Sequence, residues 1–369
     1  MSILDQHRDT LRKLDAQSRT RRLMPRIGLD FSSNDYLGLA ASEDLKNAVR
    51  DALDRGVAVG AGGSRLLRGN DPEHEALESE AAMFFGSECA LFFANGFAAN
   101  STMFAALPSR YDLIAHDALI HASVHDGMRL SFAEKKPVAH NDAQAFDDTI
   151  TNWRKRGGKG RAWIAVESLY SMDGDQAPIA ALAEIADRHD AFLVIDEAHA
   201  VGIFGPEGRG LASALAGREN VIRLATCGKA LGCEGALLLA PRVITDTLVN
   251  IGRGFIFSTA PSPLMAAAVR ASLGLIRPAG RREALQRLIA LAAERVGISS
   301  GSQIIPKIIG DEAETMRIAA ALQQSGFDVR GIRPPTVPAG TSRLRISITL
   351  NVDEAAITSL GRELNRLCE

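Results

Sequence analysis

Hydrophobic positions along the chain recur in two registers. Short, continuously apolar runs occupy 90–93, 113–115, 162–167, 192–196, 222–226 and 236–240, and they predict strands. Between several of them the apolar spacing lengthens toward 3.6, as over 179–189, and predicts helices. Runs such as Ala191-Phe192-Leu193-Val194-Ile195 have no polar face, which implies burial on both sides of a mostly parallel sheet. Strand and helix alternating in this way predict a layered α/β domain.

The flanks have a different texture. The first forty residues predict one basic helix and an irregular lead-in that carries Arg19, Arg21, Arg22 and Arg26, a cluster also expected of an ordinary solvated face. A glycine-rich loop with Arg65 and Arg68 follows over 56–70. Asp71 and Pro72 then predict an N-cap and first turn, and Leu77, Ala81, Phe84 and Phe85 form the stripe of that helix. After Pro261-Ser262-Pro263 a long Ala/Leu/Arg helical region runs to about 296. Apolar runs at 304–308 and 344–348 bracket a helix over 312–326. The expected division is an N-terminal helix and lead-in over 1–45, a large α/β domain over 46–260 and a small α+β domain over 261–369.

Composition narrows the classes. Of 369 residues, 46% are hydrophobic and 23% charged, enough apolar surface for packed domains and too much for disorder. Lys and Arg number 42 against 44 Asp and Glu, so no global charge draws nucleic acid or anionic lipid. No apolar stretch is long enough to span a bilayer, and the charged N-terminus lacks a signal-peptide core. The four cysteines have neither CxxC nor zinc spacing, which predicts a reducing, cytoplasmic setting and no metal.

The chemistry gathers where strands end. The run 192–196 closes in Asp196-Glu197-Ala198-His199, delivering an acid and an imidazole to the carboxyl edge, where open α/β sheets bind ligands. An Asp capping its loop beside a surface His is the plain alternative. The next apolar run leads into Thr226-Cys227-Gly228-Lys229, a lysine among small residues that could form an imine with a carbonyl. Alone it reads as a solvated lysine. Together, an Asp for a pyridinium nitrogen and a Lys for an aldehyde match the two ends of pyridoxal phosphate. Asn95-Gly96-Phe97 opens a helix after 90–93 and offers amides to a phosphate, although many α/β loops look alike. His121 is a candidate ring-stacking partner or a capping histidine, and 167–175 adds carboxylates and hydroxyls from another strand end.

These segments, in this order, resemble the α-oxoamine synthases, a branch of the fold-type I pyridoxal-phosphate enzymes. The likeness runs from Asn34-Asp35-Tyr36-Leu37-Gly38 to Arg343-Leu344-Arg345-Ile346-Ser347. It implies a fold-type I transferase fold, with a mostly parallel central sheet flanked by helices and a smaller C-terminal α+β domain. Residue by residue, it implies that Lys229 holds the cofactor and moves the substrate α-proton, and that Asp196 pairs with the ring nitrogen. His199 and Ser171 would bond near the ring oxygen, His121 would stack on the ring, and Gly96, Phe97 and Thr226 would bind the phosphate. Ser258 or Thr259 would reach that phosphate from a neighbouring subunit, which implies a homodimer with its active site at the interface. Arg345 would hold the amino-acid carboxylate, Asn34 would contact substrate, and Arg21 and Thr336 would contact the acyl group, with Arg22 the alternative to Arg21.

Within the family, Gly331-Ile332-Arg333-Pro334-Pro335-Thr336-Val337-Pro338-Ala339-Gly340-Thr341 and Ala139-His140-Asn141-Asp142 resemble members that join L-alanine to a pimeloyl thioester. The implied reaction releases carbon dioxide and thiol and gives 8-amino-7-oxononanoate on the route to biotin. Sister activities with glycine and a short acyl-CoA share every cofactor residue, as does serine with a long acyl thioester. A fold-type I aminotransferase and a non-catalytic subunit are further readings, the latter expected to lack Lys229 or Asp196. Two departures stand out: the stretch 296–302 is compressed, and Cys227 replaces a more usual apolar or aromatic residue.

Overall fold

A computed structural model describes residues 2–368. The chain divides into two compact units, one comprising Leu37–Ser171 and Gln176–Arg282, the other Met1–Tyr36, Met172–Asp175 and Glu283–Glu369. The boundaries differ from those expected at 45 and 260. Helix Pro263–Ile276 packs on helices Glu43–Asp54 and Pro72–Phe85 and buries Ala266, Val269, Leu273 and Ile276, so it belongs to the large unit. The long helical region is therefore two helices, Pro263–Ile276 and Ala279–Val296. The N-terminal segment joins the small unit because Leu29–Asp30 pairs in parallel with Phe327–Asp328 and the Ser347 amide donates to the Phe31 carbonyl.

The large unit is built on seven strands: β1 (Cys89–Phe93), β2 (Leu113–Asp117), β3 (Glu134–Val138), β4 (Ala162–Glu167), β5 (Phe192–Asp196), β6 (Val221–Thr226) and β7 (Ala236–Ala240). Their spatial order is β1-β7-β6-β5-β4-β2-β3. Pairings from β6 through β3 are parallel, and β7 runs antiparallel to both its neighbours. The first six strands therefore end at one edge, which gathers Asp117, Glu167, Asp196 and Thr226. Alternate residues feed opposite cores. Phe93, Trp163, Val194 and Leu224 pack with Met103 and Phe104 on one face, while Ile164, Val166, Leu193 and Ile195 pack with Phe146, Trp153 and Leu182 on the other. Strand β3, Glu-Lys-Lys-Pro-Val, escaped the apolar pattern because it lies at the sheet border, where charge and proline discourage further pairing.

Helix Pro72–Phe85 starts as the sequence predicts. Asp71 accepts from the Glu73 amide at 2.9 Å, His74 Nδ1 accepts from the Asp71 amide at 3.1 Å, and Gly86 closes the helix at φ 66°. The loop after β5 contains a tighter constraint. Gly210 has φ +94°, and a Cβ there would lie 2.4 Å from a carboxylate oxygen of buried Glu197. Gly210→Ala is expected to destabilise the fold by about 2 kcal/mol or more, read as a lowered Tm.

The small unit holds a three-stranded antiparallel sheet, in which β10 (Ser342–Ser347) lies between β8 (Ile304–Gly310) and β9 (Arg330–Ile332). Helix Glu312–Gln324 buries Thr315, Ile318, Ala319 and Leu322 on one stripe, and Glu354–Cys368 buries Ile357, Leu360 and Leu364. Among the described residues no helix is long and apolar enough to cross a membrane.

Candidate active site

In the large unit, the shared strand edge places the acid first. Asp196 ends β5 almost buried; its Oδ2 accepts from Asn100 Nδ2 at 2.8 Å and its Oδ1 from the Ala198 amide at 2.9 Å. Asn100 Nδ2 also donates to Ser123 Oγ at 3.0 Å, and Ser123 Oγ lies 2.8 Å from His121 Nδ1. One short relay thus joins the acid of β5 to the candidate stacking histidine. His121 itself caps helix Ala122–Leu130, and its Nδ1 accepts from the Ser123 amide at 3.2 Å. Neither Asn100 nor Ser123 was singled out from sequence, because 96 residues separate Asn100 from the acid it holds.

Lys229 sits in the loop that joins β6 to β7. That loop is tied at its base by the Cys227 amide to the Gly235 carbonyl and the Cys233 amide to the Cys227 carbonyl. Lys229 Nζ lies 2.7 Å from Nε2 of buried His199, close enough for one proton to bridge the two nitrogens. Cys227 is fully buried and burial pushes its thiol up, so it packs as a small apolar residue.

The helix Gly96–Ala106 begins at the same edge. Asn95 accepts from the Ala98 amide through its side chain at 2.8 Å and from the Ala99 amide through its carbonyl. The first-turn amides left over are those of Gly96 and Phe97, in the geometry that suits an anion. A Cβ on Gly96 would lie 3.7 Å from Thr226 Oγ1, so the end of β6 and the helix N-terminus meet. Phe97 is half exposed and stands edge-on to His121, centroids 6.4 Å apart.

Two more acids share this edge. Glu167, opposite Asp196 in the β4–β5 register, accepts the Ser171 amide on Oε2 at 3.1 Å. Burial and the charge of Asp196 push its carboxyl up to about 8, against the opposing pull of Lys229. Asp117 behaves oppositely. Burial would raise it, but His140 Nδ1 and the amides of Asn141 and Leu119 outweigh burial and hold it below the usual carboxylate range. Burial lowers the His121 imidazole, Lys229 lowers it further and Asp196 opposes both. His121 and Glu167 thus each feel both Asp196 and Lys229, which marks the four as one electrostatic cluster.

The remaining candidates in the large unit, Ser258 and Thr259, lie on its surface, with Ser258 Oγ donating to the Gly254 carbonyl at 2.6 Å. In the small unit Arg345 is buried. Its Nη1 donates to Ser347 Oγ at 2.7 Å, and its Nη2 reaches Asn34 Oδ1 at 3.1 Å and the Tyr36 hydroxyl at 3.3 Å. A planar guanidinium fixed in this way is suited to a carboxylate. Arg21, the first of the two adjacent candidates, donates from Nη2 to Thr336 Oγ1 at 3.2 Å on the surface of the same unit.

The large-unit residues suit pyridoxal phosphate. They offer an amine for its aldehyde, an acid for its ring nitrogen, an imidazole for its face, and free helix amides with a threonine for its phosphate.

Comparison with known proteins agrees with this chemistry. The profile of the family described as aminotransferase class I and II matches residues 26–362. An 8-amino-7-oxononanoate synthase from Anaeromyxobacter dehalogenans is 40% identical over 370 residues, covering 94% of this chain and 91% of that protein. A solved 8-amino-7-oxononanoate synthase from Francisella tularensis is 26% identical, covering 92% of this chain and 97% of its own, with a TM-score of 0.77. A solved SPT with a PLP internal aldimine is 25% identical, covering 100% and 98%, with a TM-score of 0.89.

Proposed function

The chain belongs to the aminotransferase class I and II family, in its α-oxoamine synthase branch, and from that premise we propose that it condenses L-alanine with a pimeloyl thioester to give 8-amino-7-oxononanoate. The observation that carries the chemistry is the gathering of Lys229, His199 and Asp196 at one strand edge beside the Gly96 helix terminus. The substrate pair is supported by 40% identity, over 94% of the chain, to a relative of that name. The proposed cofactor is pyridoxal phosphate, which when bound supplies an electron sink for negative charge at the amino-acid α-carbon.

The chain's own residues do the rest. Lys229 Nζ takes the α-proton and later returns one to the same carbon, a transfer worth about 10²–10⁴-fold when the base is well placed. His199 Nε2, 2.7 Å away, holds that amine in place and accepts its hydrogen bond when it is charged. Asp196, fixed by two donors, presents its carboxylate to the ring nitrogen. Gly96 and Phe97 amides with Thr226 bind the phosphate, His121 covers the ring, and Ser171 with His199 binds near the ring oxygen. Arg345 and Asn34 hold the amino-acid carboxylate, and Arg21 and Thr336 contact the acyl chain. Bond making is between the alanine α-carbon and the thioester carbonyl; the thiol and carbon dioxide leave.

We further propose a cytoplasmic homodimer in which Ser258 and Thr259 of one subunit serve the phosphate of the other. Their surface position agrees with that role.

The test is to supply L-alanine and pimeloyl-CoA to the cofactor-loaded protein and follow thiol release and product mass. The expected result is product with alanine and pimeloyl-CoA, far faster than with glycine and acetyl- or succinyl-CoA. Preference for glycine and a short acyl-CoA would move the protein to a sister activity, and conversion of the cofactor to its amine form by an amino acid alone would make it an aminotransferase.

A further inference from the structure

The proposed mechanism gives no role to two buried acids of this edge: Asp117, which His140 and the amides of Asn141 and Leu119 hold as an anion, and Glu167, whose setting differs. Glu167 is the last residue of β4 and stands directly across from Asp196, the last residue of β5. Residues in register on neighbouring parallel strands present their side chains to the same face, so the sheet holds two carboxyls side by side. Two such neighbours do not both ionise cheaply in a desolvated setting. The partners of the two acids differ. Asp196 receives donors on both oxygens, whereas Glu167 receives the Ser171 amide on Oε2 and has no protein partner on Oε1. Glu167 is 3% exposed. An ionised carboxylate in that position leaves a charged oxygen both buried and unbonded, at a cost that a neutral carboxyl largely avoids.

We propose that Glu167 is a positioning residue that works uncharged: its carboxyl keeps a proton on Oε1, fixes the turn that carries Ser171 through Oε2, and spares Asp196 a second anion at its side. The inference rests on the reading of this edge as a pyridoxal-phosphate site, which gives the Ser171 turn and the charge of Asp196 their use. The surrounding charges agree with it. Asp196 from β5 and Asp117 from β2 favour the protonated form, and Lys229 from the β6–β7 loop opposes it; Tyr170, three residues along, feels the charge of the group, and burial raises its phenol. With the carboxyl pushed up to about 8, Glu167 is neutral below that pH and ionises above it. Ionisation places a second negative charge against Asp196 and within the field of Lys229, so the function of the edge declines as pH rises through that value.

Glu167→Gln keeps an oxygen for the Ser171 amide and cannot ionise; Glu167→Ala removes both features. At pH 7 the glutamine variant is expected to exceed the alanine variant in kcat by about tenfold, the worth of one buried hydrogen bond. The glutamine variant should also lack the alkaline fall in kcat, and in cofactor absorbance, that the unaltered enzyme passes through near pH 8. A readout independent of turnover is the infrared spectrum of the cofactor-free protein. A protonated-carboxyl band should persist at pH 7, fade on titration to pH 9, and be missing from Glu167→Gln. Overturning results are a glutamine variant as impaired as the alanine variant with its alkaline limb intact, or no protonated-carboxyl band at pH 7 that depends on Glu167. The infrared result stands even if the cofactor assignment fails, so the two failures are distinguishable.

Discussion

Replacing Lys229 by alanine is expected to lower product formation by about 10³-fold or more while leaving the fold intact. The side chain is only partly buried and sits in a loop whose base is held by backbone hydrogen bonds among Cys227, Cys233 and Gly235, none of which involves the amine. On the proposed mechanism, what disappears is the nitrogen that both anchors the cofactor and carries the α-proton, 2.7 Å from His199 Nε2. Steady-state thiol release, with Tm measured alongside, checks this. A variant that retained a tenth of the activity would mean that another group moves the proton.

The second large effect is expected at Asp196. Asp196→Asn should reduce kcat/KM by about 10²–10³-fold, the usual scale for losing a placed charge in a site where charge develops. Geometry allows this variant to isolate charge from shape. The new amide can still accept from the Ala198 amide, and Asn100 can turn its unpartnered Oδ1 toward the new N–H group. The fold should therefore survive, with the loss confined to catalysis and to tightness of cofactor retention. Equal losses of Tm and activity would instead point to a structural role for the carboxylate.

Much of this site was legible in the chain because strand ends are legible. Continuous apolar runs end in a polar residue where the backbone leaves the sheet, and β4, β5 and β7 occupy the expected positions 162–167, 192–196 and 236–240. That pattern alone places Asp196, Lys229 and Gly96 at one edge. It did not reveal that β7 reverses direction, since a buried antiparallel strand is as uniformly apolar as a parallel one. It also missed β3, whose lysines and proline suit a border strand and carry no apolar period.

The supporting contacts were beyond reach for a different reason. The Glu167–Asp196 pair is a product of strand order and the Asn100–Asp196 contact of where helix Gly96–Ala106 lies on the sheet, and both are written in packing across many residues instead of in any local spacing. Glu167 was visible as a polar strand end, yet its neutrality depends on which strand lies beside it. The N-terminal segment shows the same limit. Its pairing of Leu29–Asp30 with Phe327–Asp328 assigns it to the small unit, and two residues of β-pairing give no sequence signal.

The claim on which the rest depends is that Lys229 holds pyridoxal phosphate in front of Asp196. Its most direct measurement is borohydride reduction of the cofactor-loaded protein, followed by digestion and mass mapping of the modified peptide. The account predicts a single reduced cofactor adduct, on Lys229, with stoichiometric loss of the visible absorbance. An adduct spread over surface lysines, or an unmodified Lys229 in protein that turns over substrate, would contradict it.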